Sequence, residues 1–484
     1  MTRLSAATAG ALPYDRAVVK TGVVHLGIGA FHRAHQAPVF DAAIAAGDPR
    51  WGIVGASLRS AGVRDQLAPQ DGLYTLVIRD GADERLQMIG AVRDVLVAPE
   101  DPAVLVELMA SADVHIVTLT VTEKGYKLDP ATGRLLTDDP DVAADLESLA
   151  APRTAPGFIV AALARRRAAG LAPFTAMSCD NIPHNGARLR DAVLAIAAQH
   201  DRTLADWIAA HGAFPQTMID RIVPATSLDD IIALHDRTGQ CDQGMVKAEP
   251  FTQWVIEDRF AGPRPDFAAF GVQLTSAVAP WEEAKLRLLN GAHSSIAYLG
   301  GLAGIDHVDG VVALPEARAF VEALWDEAEA TLNPPAELDV AAYRAALMAR
   351  FANPALQHRN RQIAMDGSQK LPQRLVAPIV ARRAEGLPVD ALALGVAAWM
   401  RWQIGRDDAG RAYVVDDPLA AVTADRLAGL DDPADMVRAL LSIDAIFTPD
   451  LANDTVFVAT VTRHLSRLLS EGALATLNAW KSIS

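Results

Sequence analysis

Short apolar runs alternate with a helix-forming stretch at the start of the chain. Residues 23–28 and 52–58 are apolar and contain glycine, and the stretch 33–46 between them is rich in helix-forming residues. A strand, a helix and a second strand in succession form the unit from which parallel sheets are built. Similar patterns predict further strands at 114–121 and 174–178 and a helix at 157–170. We therefore predict an α/β N-terminal domain around a parallel sheet.

The second part of the chain consists of long Ala/Leu/Arg-rich stretches with few strand-like runs. Its predicted helices are 281–303, 316–332, 339–351, 374–385, 391–404 and 455–480. Glycine and proline interrupt the chain at 262–265 and again at Pro280, so we predict the domain boundary in this region. This divides the chain into an α/β domain at 1–279 and a mainly α-helical domain at 280–484.

The composition is that of a soluble, folded protein with two domains. A chain of 484 residues is longer than one ordinary hydrophobic core accommodates. The formal net charge of −15 disfavours binding to nucleic acid or to an anionic membrane, although the short run Arg165-Arg166-Arg167 is basic and is interpreted as a solvated helix face. Two cysteines, Cys179 and Cys241, are too few for a disulfide framework. With no signal peptide and no apolar run of membrane-spanning length, we expect a cytoplasmic protein.

A glycine turn follows the first predicted strand, with the sequence Gly27-Ile28-Gly29-Ala30-Phe31-His32. Glycines at 27 and 29 allow the backbone to turn sharply and approach a pyrophosphate. The N-terminal amides of the next helix favour an anion there, and Ala30 and Phe31, which follow the glycines, are further candidate cofactor contacts. His32 replaces the third glycine of the usual fingerprint, so the motif also fits an ordinary strand-to-helix turn. Its place between a strand and a helix favours dinucleotide binding.

The second predicted strand ends in Leu58-Arg59-Ser60, where an acid would be expected to bind the ribose 2′-hydroxyl of NAD. The first acid is Asp65, and Arg59 is equally suited to a 2′-phosphate, so the spacing leaves NAD and NADP open. We name Arg59 as a cofactor contact in either case. His32 and His35 are three residues apart, but no third ligand has a recognisable spacing, and we predict no metal site.

The segment from Pro280 to His293 carries the sharpest chemical pattern. On an uninterrupted α-helix Lys285 and His293 lie about 80° apart, and Asn290 lies about 60° beyond His293. Oxidation of an alcohol requires a base for the hydroxyl proton and donors for the developing alkoxide, while a hydride leaves. A lysine amine can be the base if desolvation lowers its pKa, and the amides of Asn290 and Asn181 can hold the oxyanion. An ordinary helix with one lysine and one packed histidine has the same spacing, so both interpretations stay open.

Several blocks along the chain are longer than single motifs. They are Gly27–His35, Val121–Tyr126, Ser178–Asn181, Phe214–Pro224, Glu249–Asp258, the segment with Lys285, Asn290 and His293, and Gln362–Arg374. In this order they resemble the mannitol dehydrogenase family of polyol-specific long-chain dehydrogenases, which includes mannitol 2-dehydrogenases and fructuronate reductases. The resemblance implies a Rossmann-type N-terminal domain, a mainly helical C-terminal domain and an active site in the cleft between them.

The resemblance also implies roles for the residues of its Lys-x4-Asn-x2-His motif. Lys285 corresponds to the general base, and His293 to the residue that orients the substrate. Asn290 and Asn181 correspond to the oxyanion site. These roles agree with the chemistry that the residue types allow.

The substrate contacts implied by the resemblance are Asp220 and Lys370. Each has an alternative without a role in binding. Asp220 could pair structurally with Arg221 or another cation, and Lys370 could be an ordinary charged residue of a loop. A sugar acid such as mannonate or fructuronate would need a cation for its carboxylate. Basic residues of this part of the chain that could supply it are Lys370, Arg359, Arg361 and Arg374.

We predict an NAD-dependent, metal-independent oxidoreductase that interconverts a polyol and a ketose, with mannitol and fructose as the preferred pair. The segment from Ser57 to Asp65 resembles bacterial polyol enzymes and favours this choice, and the family mostly uses NAD. A fructuronate reductase is the alternative within the enzymes. A regulator that senses NAD(H) without turnover is the alternative from another class, and the joint presence of the candidate catalytic residues argues against it. We expect a monomer or a homodimer.

Overall fold

Parallel strands form a central sheet in the N-terminal part of the chain. Their order across the sheet is Val92–Val97, Gly52–Ser57, Thr21–Leu26, Ile116–Leu119 and Thr175–Ser178. The computed structural model describes residues 2–129 and 132–480 and divides into two units, Met1–Val278 and Ala279–Ser484, of which the first contains this sheet. The strand order is that of a Rossmann-type sheet, so the predicted fold of the N-terminal domain is confirmed.

Both faces of the central sheet are covered by apolar side chains. Val24 shares a buried cluster with the helix Ala155–Ala168, whereas its neighbour Val23 shares another with the helix Gln36–Ala45. Successive side chains of a strand point to opposite faces, so strands that are buried on both faces are nearly continuous apolar runs. This is why the sequence predicts these strands within two residues of their ends, except Val92–Val97, which contains arginine and aspartate.

Further strands of the first unit pair outside the central sheet. Their pairs are Tyr74–Asp80 with Asp83–Ile89 and Val246–Ala248, Gln253–Glu257 with Thr217–Asp220 and Gln273–Thr275, and Thr2–Arg3 with Gln240–Cys241. The sequence does not predict these strands, because they are short or carry polar residues on an exposed face.

The sequence predicts only some of the α-helices of the first unit, at 33–46 and 157–170. The α-helices of this unit are Ala30–Ala34, Gln36–Ala45, Gly62–Leu67, Pro102–Ala110, Pro140–Glu147, Ala155–Ala168, Asn185–His200, Arg202–His211 and Leu228–Thr238. Short 3-10 turns are Arg16–Val18, Pro49–Trp51, Ala68–Gln70, Glu123–Tyr126 and Phe267–Phe270. The helix predicted at 33–46 begins earlier than expected, at Ala30, and is interrupted at His35.

One prediction for the helix Ala155–Ala168 is wrong. Arg166, taken from the sequence as part of a solvated face, is buried. Its guanidinium donates hydrogen bonds to the carbonyl oxygens of Ser111, Val114 and Ala172. These three acceptors compensate for the burial of the charge. Through them the arginine connects its helix to the neighbouring segments.

The second unit is mainly helical, which confirms its predicted class. Its α-helices are Ala279–Ala284, Gly291–Leu302, Val308–Val312, Pro315–Glu329, Val340–Phe351, Asn360–Ile363, Gly367–Leu371, Ala377–Ala384, Asp390–Trp402, Ala420–Leu427, Pro433–Leu441, Pro449–Ala452, Thr455–Glu471 and Ala473–Asn478. Two π-helical segments, Lys285–Asn290 and Pro372–Val376, and a 3-10 turn, Pro354–Leu356, also lie in its described part. Across the described residues, no helix has the length and apolar character needed to cross a bilayer.

A pair of apolar helices packs at the core of the second unit. Every residue of Gly291–Leu302 is buried, and so is every residue of Asp390–Trp402 after its first. Their close approach depends on Gly395, where a Cβ would lie 2.5 Å from the Oγ of Ser295. A helix that is apolar all round is typical of such a buried position.

Two long predicted helices of this unit are interrupted. The stretch 281–303 changes from α to π geometry at Lys285 and returns to α geometry at Gly291. The stretch 455–480 breaks at Gly472, whose φ of 84° lies outside the helical range. Apolar periodicity alone does not reveal either interruption.

Candidate active site

The predicted glycine turn follows the strand Thr21–Leu26. Gly27 has a φ of 91°, and a Cβ on it would overlap the carbonyl oxygen of Thr120, so only glycine fits. Gly29 is extended and precedes the helix Ala30–Ala34 without any side-chain cap. A Cβ on Gly29 would meet only the oxygen of Gly27, at 3.8 Å, so the space above the turn is open. The turn therefore fits the pyrophosphate of a dinucleotide.

His32, at the position of the third glycine of the fingerprint, is accommodated by ring stacking. Its imidazole lies 3.4 Å from that of His25 on the neighbouring strand. The ring of His25 hydrogen-bonds with the hydroxyls of Thr118 and Thr120, at 2.7 and 2.8 Å. Burial lowers the pKa of His25 to about 3 and holds the pKa of His32 well below its usual value. Both rings are neutral, and they stack with their planes 13° apart.

His35 and Phe31 are positioned by packing. The ring of Phe31 stacks on that of His35, with centroids 5.0 Å apart. The Nε2 of His35 lies 3.0 Å from the backbone carbonyl oxygen of Gln253, and its Nδ1 lies 3.1 Å from the side-chain amide nitrogen of Gln36. These contacts tie the start of the helix Gln36–Ala45 to the strand that contains Gln253, directly behind the glycine turn.

The candidate base Lys285 and the candidate oxyanion donor Asn290 lie at the two ends of the π-helical segment Lys285–Asn290. On an uninterrupted α-helix, residues five apart differ by about 140° around the axis. A π-helix closes its hydrogen bonds between residues i and i+5, so these residues are one turn apart on the same face. The predicted α-helical spacing is therefore wrong, and the π geometry brings Lys285 and Asn290 together. Lys285 is 7% exposed, whereas Asn290 is half-buried.

His293 lies in the first turn of the helix Gly291–Leu302, just after the π segment. Its ring is buried and contacts the rings of Phe351 and His358, with centroids 5.3 and 4.6 Å away. Burial, aided by the nearby positive charge of Arg374, holds the pKa of His293 well below its usual value. The imidazole is therefore neutral, with one donor and one acceptor nitrogen for hydroxyl groups.

Arg374 lies in the other π-helical segment, Pro372–Val376, which packs against the first. A Cβ on Gly291 would lie 2.9 Å from the carbonyl oxygen of Arg374. The guanidinium of Arg374 donates a 3.0 Å hydrogen bond to the Oγ of Ser294, while its buried Nε has no hydrogen-bond partner among residues 2–129 and 132–480. Burial lowers the pKa of Arg374 to about 10, so it stays charged.

Sequence reasoning did not identify Ser294, Tyr298 and His358 as part of this cluster. Ser294 and Tyr298 follow Asn290 at intervals of four, so extending the helical spacing would have found them. The hydroxyl of Tyr298 is buried without a hydrogen-bond partner within the described ranges. His358 carries no such signal, because only the fold brings it against His293.

Lys370 is half-buried in the helix Gly367–Leu371. Its ammonium group donates hydrogen bonds to the carbonyl oxygens of Ile363, at 3.4 Å, and Met365, and it lies 3.9 Å from the carboxylate of Asp366. Burial lowers the pKa of Lys370, and the positive charge of Arg374 adds to this effect. The ammonium is thus held by carbonyl groups of the segment just before its helix, and its role as a substrate contact stays a prediction.

Asn181 lies three residues after the strand Thr175–Ser178, in an exposed turn. The preceding Asp180 anchors this turn, because its carboxylate accepts hydrogen bonds from the amides of Val121 and Thr122 and from the hydroxyl of Tyr126. Asn181 is therefore presented at the carboxyl edge of the central sheet, where ligands bind in open α/β sheets.

Asp220 is the last residue of the strand Thr217–Asp220 and is 6% exposed. The guanidinium of the adjacent Arg221 donates to the carbonyl oxygens of Glu249, at 2.8 and 3.1 Å, and Ala34. The charge of Arg221 is thus directed to backbone acceptors. Asp220 stays a predicted substrate contact.

The other basic residues considered for a carboxylate differ in their surroundings. Arg359 and Arg361 are exposed, and Arg361 lies over the ring of Tyr413, 5.4 Å from its centroid. Arg374 is the one placed next to His293 and Ser294. It is therefore the better candidate to meet an anionic substrate.

Comparison with known proteins covers nearly the whole chain. Residues 21–269 match the Mannitol dehydrogenase Rossmann domain, and residues 277–469 match the Mannitol dehydrogenase C-terminal domain. The uncharacterized oxidoreductase YeiQ of Escherichia coli K12 is 44% identical over 97% of this chain and 96% of its own. The D-mannonate oxidoreductase of the same organism is 42% identical, over 95% and 96%.

A solved structure also matches over its full length. It is the ternary complex of Pseudomonas fluorescens mannitol 2-dehydrogenase with NAD and D-mannitol, 38% identical, with a TM-score of 0.84 over 99% of both chains. Both domains are matched, and the relatives are matched from end to end. The chain therefore belongs to the mannitol dehydrogenase family.

Proposed function

We propose that this protein is an NAD-dependent oxidoreductase that interconverts a polyol and a ketose, with mannitol and fructose as the pair. The observation that carries the proposal is the π-helical segment that places Lys285 and Asn290 on one face, immediately before the buried, neutral His293. A base and an amide donor are the groups that alcohol oxidation requires, and a neutral imidazole beside them can hydrogen-bond the substrate hydroxyls.

Lys285 acts as the general base in this mechanism. Its amine takes the proton of the substrate hydroxyl, while a hydride leaves the carbon that bears this hydroxyl. Bound NAD supplies the hydride acceptor. Lys285 is 7% exposed, so bulk water has little access to its amine. In the reverse direction the ammonium returns the proton to the oxygen of the ketose.

The amide of Asn290 stabilises the oxygen as it gains negative charge. A neutral amide donates a hydrogen bond without exchanging a proton, so it does not compete with Lys285. We assign Asn181 as the second donor, as the resemblance implies. His293 orients the substrate, since its neutral ring offers one donor and one acceptor to neighbouring hydroxyls.

The first unit binds the dinucleotide in this proposal. The open turn at Gly27 and Gly29 receives the pyrophosphate, with the amides of Ala30 and Phe31 directed to it. We keep Asp220 and Lys370 as substrate contacts. Support for the substrate comes from the Pseudomonas fluorescens relative, whose structure contains NAD and D-mannitol.

A sugar acid is the second candidate substrate, in a reaction that interconverts mannonate and fructuronate. The buried Nε of Arg374, beside Ser294 and His293, favours it because a carboxylate would complete the hydrogen bonds of that guanidinium. The chain is 42% identical to a D-mannonate oxidoreductase and 40% identical to a mannitol 2-dehydrogenase, so sequence identity does not separate the two substrates.

The experiment that tests the proposal is NADH oxidation by the purified protein with fructose, fructuronate and a panel of other ketoses. We expect turnover with fructose. Turnover with fructuronate alone would replace the polyol with the sugar acid. Binding of NADH without turnover on any substrate of the panel would favour the regulator instead.

A further inference from the structure

The backbone of Gly27 is bonded to the strands on both sides of it. Its amide donates a 2.8 Å hydrogen bond to the carbonyl oxygen of Ala56, in the strand that ends two residues before the exposed Arg59. Its carbonyl oxygen accepts hydrogen bonds from the amide of Gly29, at 2.6 Å, and from the hydroxyl of Thr120, at 2.9 Å. Thr120 directly follows the strand on the other side. The turn is thus held from both neighbouring strands.

One arrangement of hydrogen atoms satisfies the ring of His25 and its neighbours. Thr120 has a single hydroxyl hydrogen, and the carbonyl oxygen of Gly27 can only accept, so this hydrogen lies between them. The Nε2 of His25, 2.8 Å from the same hydroxyl oxygen, must therefore donate to it. A neutral imidazole has one N–H, so its Nδ1 accepts from the hydroxyl of Thr118, at 2.7 Å. Thr118 thus fixes the tautomer of His25, and His25 fixes the direction of the hydroxyl of Thr120.

This chain of hydrogen bonds sets the orientation of the peptide group between Gly27 and Ile28. A trans peptide is planar, with its C=O and N–H pointing in opposite directions. Because the carbonyl of Gly27 is directed to Thr120, the N–H of Ile28 is directed away from it. Within the described part of the chain this N–H has no acceptor. A backbone donor in that situation needs water or a ligand.

We propose that His25 and Thr120 are positioning residues that direct the amide of Ile28 to an oxygen of the pyrophosphate of the dinucleotide. This inference rests on the proposed function, because it assumes that the glycine turn binds a dinucleotide. Glycines make the turn possible, but a glycine by itself permits many backbone conformations. The hydrogen bonds to Gly27 select one conformation before the ligand binds, so less conformational freedom is lost on binding.

Calorimetric titrations of the full-length protein with NADH and with ADP-ribose test this role, since both ligands contain the pyrophosphate. Thr120→Val removes the hydroxyl and retains the shape of the side chain, and we expect it to weaken both ligands about tenfold. Thr120→Ser keeps the hydroxyl and should stay within about twofold of the wild type. Thr423→Val removes a buried hydroxyl that bonds to the side chain of Gln403 in the second unit. It is the matched control and should change neither affinity.

The ring of His25 gives a second readout, which a purely structural role would not fix. In ¹⁵N NMR spectra of protein labelled at histidine, we expect the proton of His25 on Nε2, with its signals assigned by their loss in His25→Gln. Thr118→Val removes the donor to Nδ1, so it should admit the other tautomer and weaken both ligands by a smaller factor than Thr120→Val. A proton on Nδ1 in the wild type would overturn the proposed chain of hydrogen bonds.

Binding of NADH by the wild type separates this inference from the proposed function. If NADH binds to the wild type and to Thr120→Val with equal affinity, the positioning role is overturned and the dehydrogenase proposal stands. The same holds if Thr120→Ser loses as much affinity as Thr120→Val. If Thr120→Val does not fold, the protonation of His25 in the wild type decides. If the wild type binds neither NADH nor ADP-ribose, both proposals are overturned.

Discussion

The carboxylate of Asp180 accepts a 2.9 Å hydrogen bond from the backbone amide of Thr122. This bond joins the loop after the strand Ile116–Leu119 to the turn that presents Asn181. Thr122 has a φ of 65° and a ψ of 168°, a region that costs a β-branched residue conformational energy. The strained loop persists because the carboxylate of Asp180 also accepts a hydrogen bond from the amide of Val121. The two adjacent amides thus bond to the two oxygens of one buried carboxylate.

Replacement of Asp180 tests this arrangement. Asp180→Ala leaves the amides of Val121 and Thr122 without their acceptor, so we expect the free energy of unfolding to fall by about 2–4 kcal/mol. Asp180→Asn retains one acceptor oxygen and should lose less. Asp101→Ala removes an exposed helix cap and should cost about 1 kcal/mol. Urea unfolding measures all three, and a loss for Asp180→Ala no larger than that of Asp101→Ala would contradict the anchoring role.

Lys285→Ala tests the proposed base. We expect the rate of polyol oxidation to fall by about 10²–10⁴, because proton removal loses its acceptor, with NADH affinity little changed. An added small amine should restore part of the rate if the missing group is a base. Lys20→Ala removes a lysine from an exposed ion pair and should retain full activity. Normal turnover by Lys285→Ala would exclude the mechanism.

Gly291→Ala tests the contact between the two π-helical segments. A Cβ at this position would lie 2.9 Å from the carbonyl oxygen of Arg374, so the segments must separate to make room. We expect a loss of about 1–3 kcal/mol in stability and a lower kcat, because Asn290 adjoins the displaced residue. Gly62→Ala introduces a methyl group into open space on another helix and should be neutral or slightly stabilising. Wild-type stability and kcat in Gly291→Ala would show that the contact can relax freely.

The histidine pair at 293 and 358 predicts a pH dependence of stability. Burial, aided by the charge of Arg350, lowers the pKa of His358 to about 4, and that of His293 is also lowered. Unfolded chains take up protons on these rings below about pH 6.5, whereas the folded protein does not. The free energy of unfolding should therefore fall from pH 6.5 towards pH 4.

His358→Gln isolates one part of this effect. We expect the loss of stability between pH 6.5 and 4 to be smaller in the variant, by up to about 3 kcal/mol. His211→Gln, at an exposed helix end in the first unit, is the control and should leave the pH dependence unchanged. Equal slopes for the wild type and His358→Gln would mean that His358 does not remain neutral in the folded protein.

The fold could be predicted from sequence to the extent that it depends on local patterns. The strands Thr21–Leu26 and Gly52–Ser57 are buried on both faces, so they are visible as apolar runs, and Gly27 marks the turn that only glycine can form. The strand Asp83–Ile89 was not predicted, because its sequence is largely polar and lacks a clear alternation of apolar residues. It forms by antiparallel pairing with the strand Tyr74–Asp80.

The candidate site divides in the same way. The sequence by itself determined which residue types are present, namely Lys285, Asn290 and His293, and their order along the chain. Only the tertiary structure showed that the first two share a face, since they lie at the ends of a π-helical segment that apolar periodicity does not predict. The residue after this segment, Gly291, packs against the backbone of Arg374, far along the chain. Likewise Arg166 is buried because acceptors 52 and 55 residues away complete its hydrogen bonds. Apolar period and turn chemistry are local properties, whereas burial and hydrogen-bond partners are set by residues that meet only after folding.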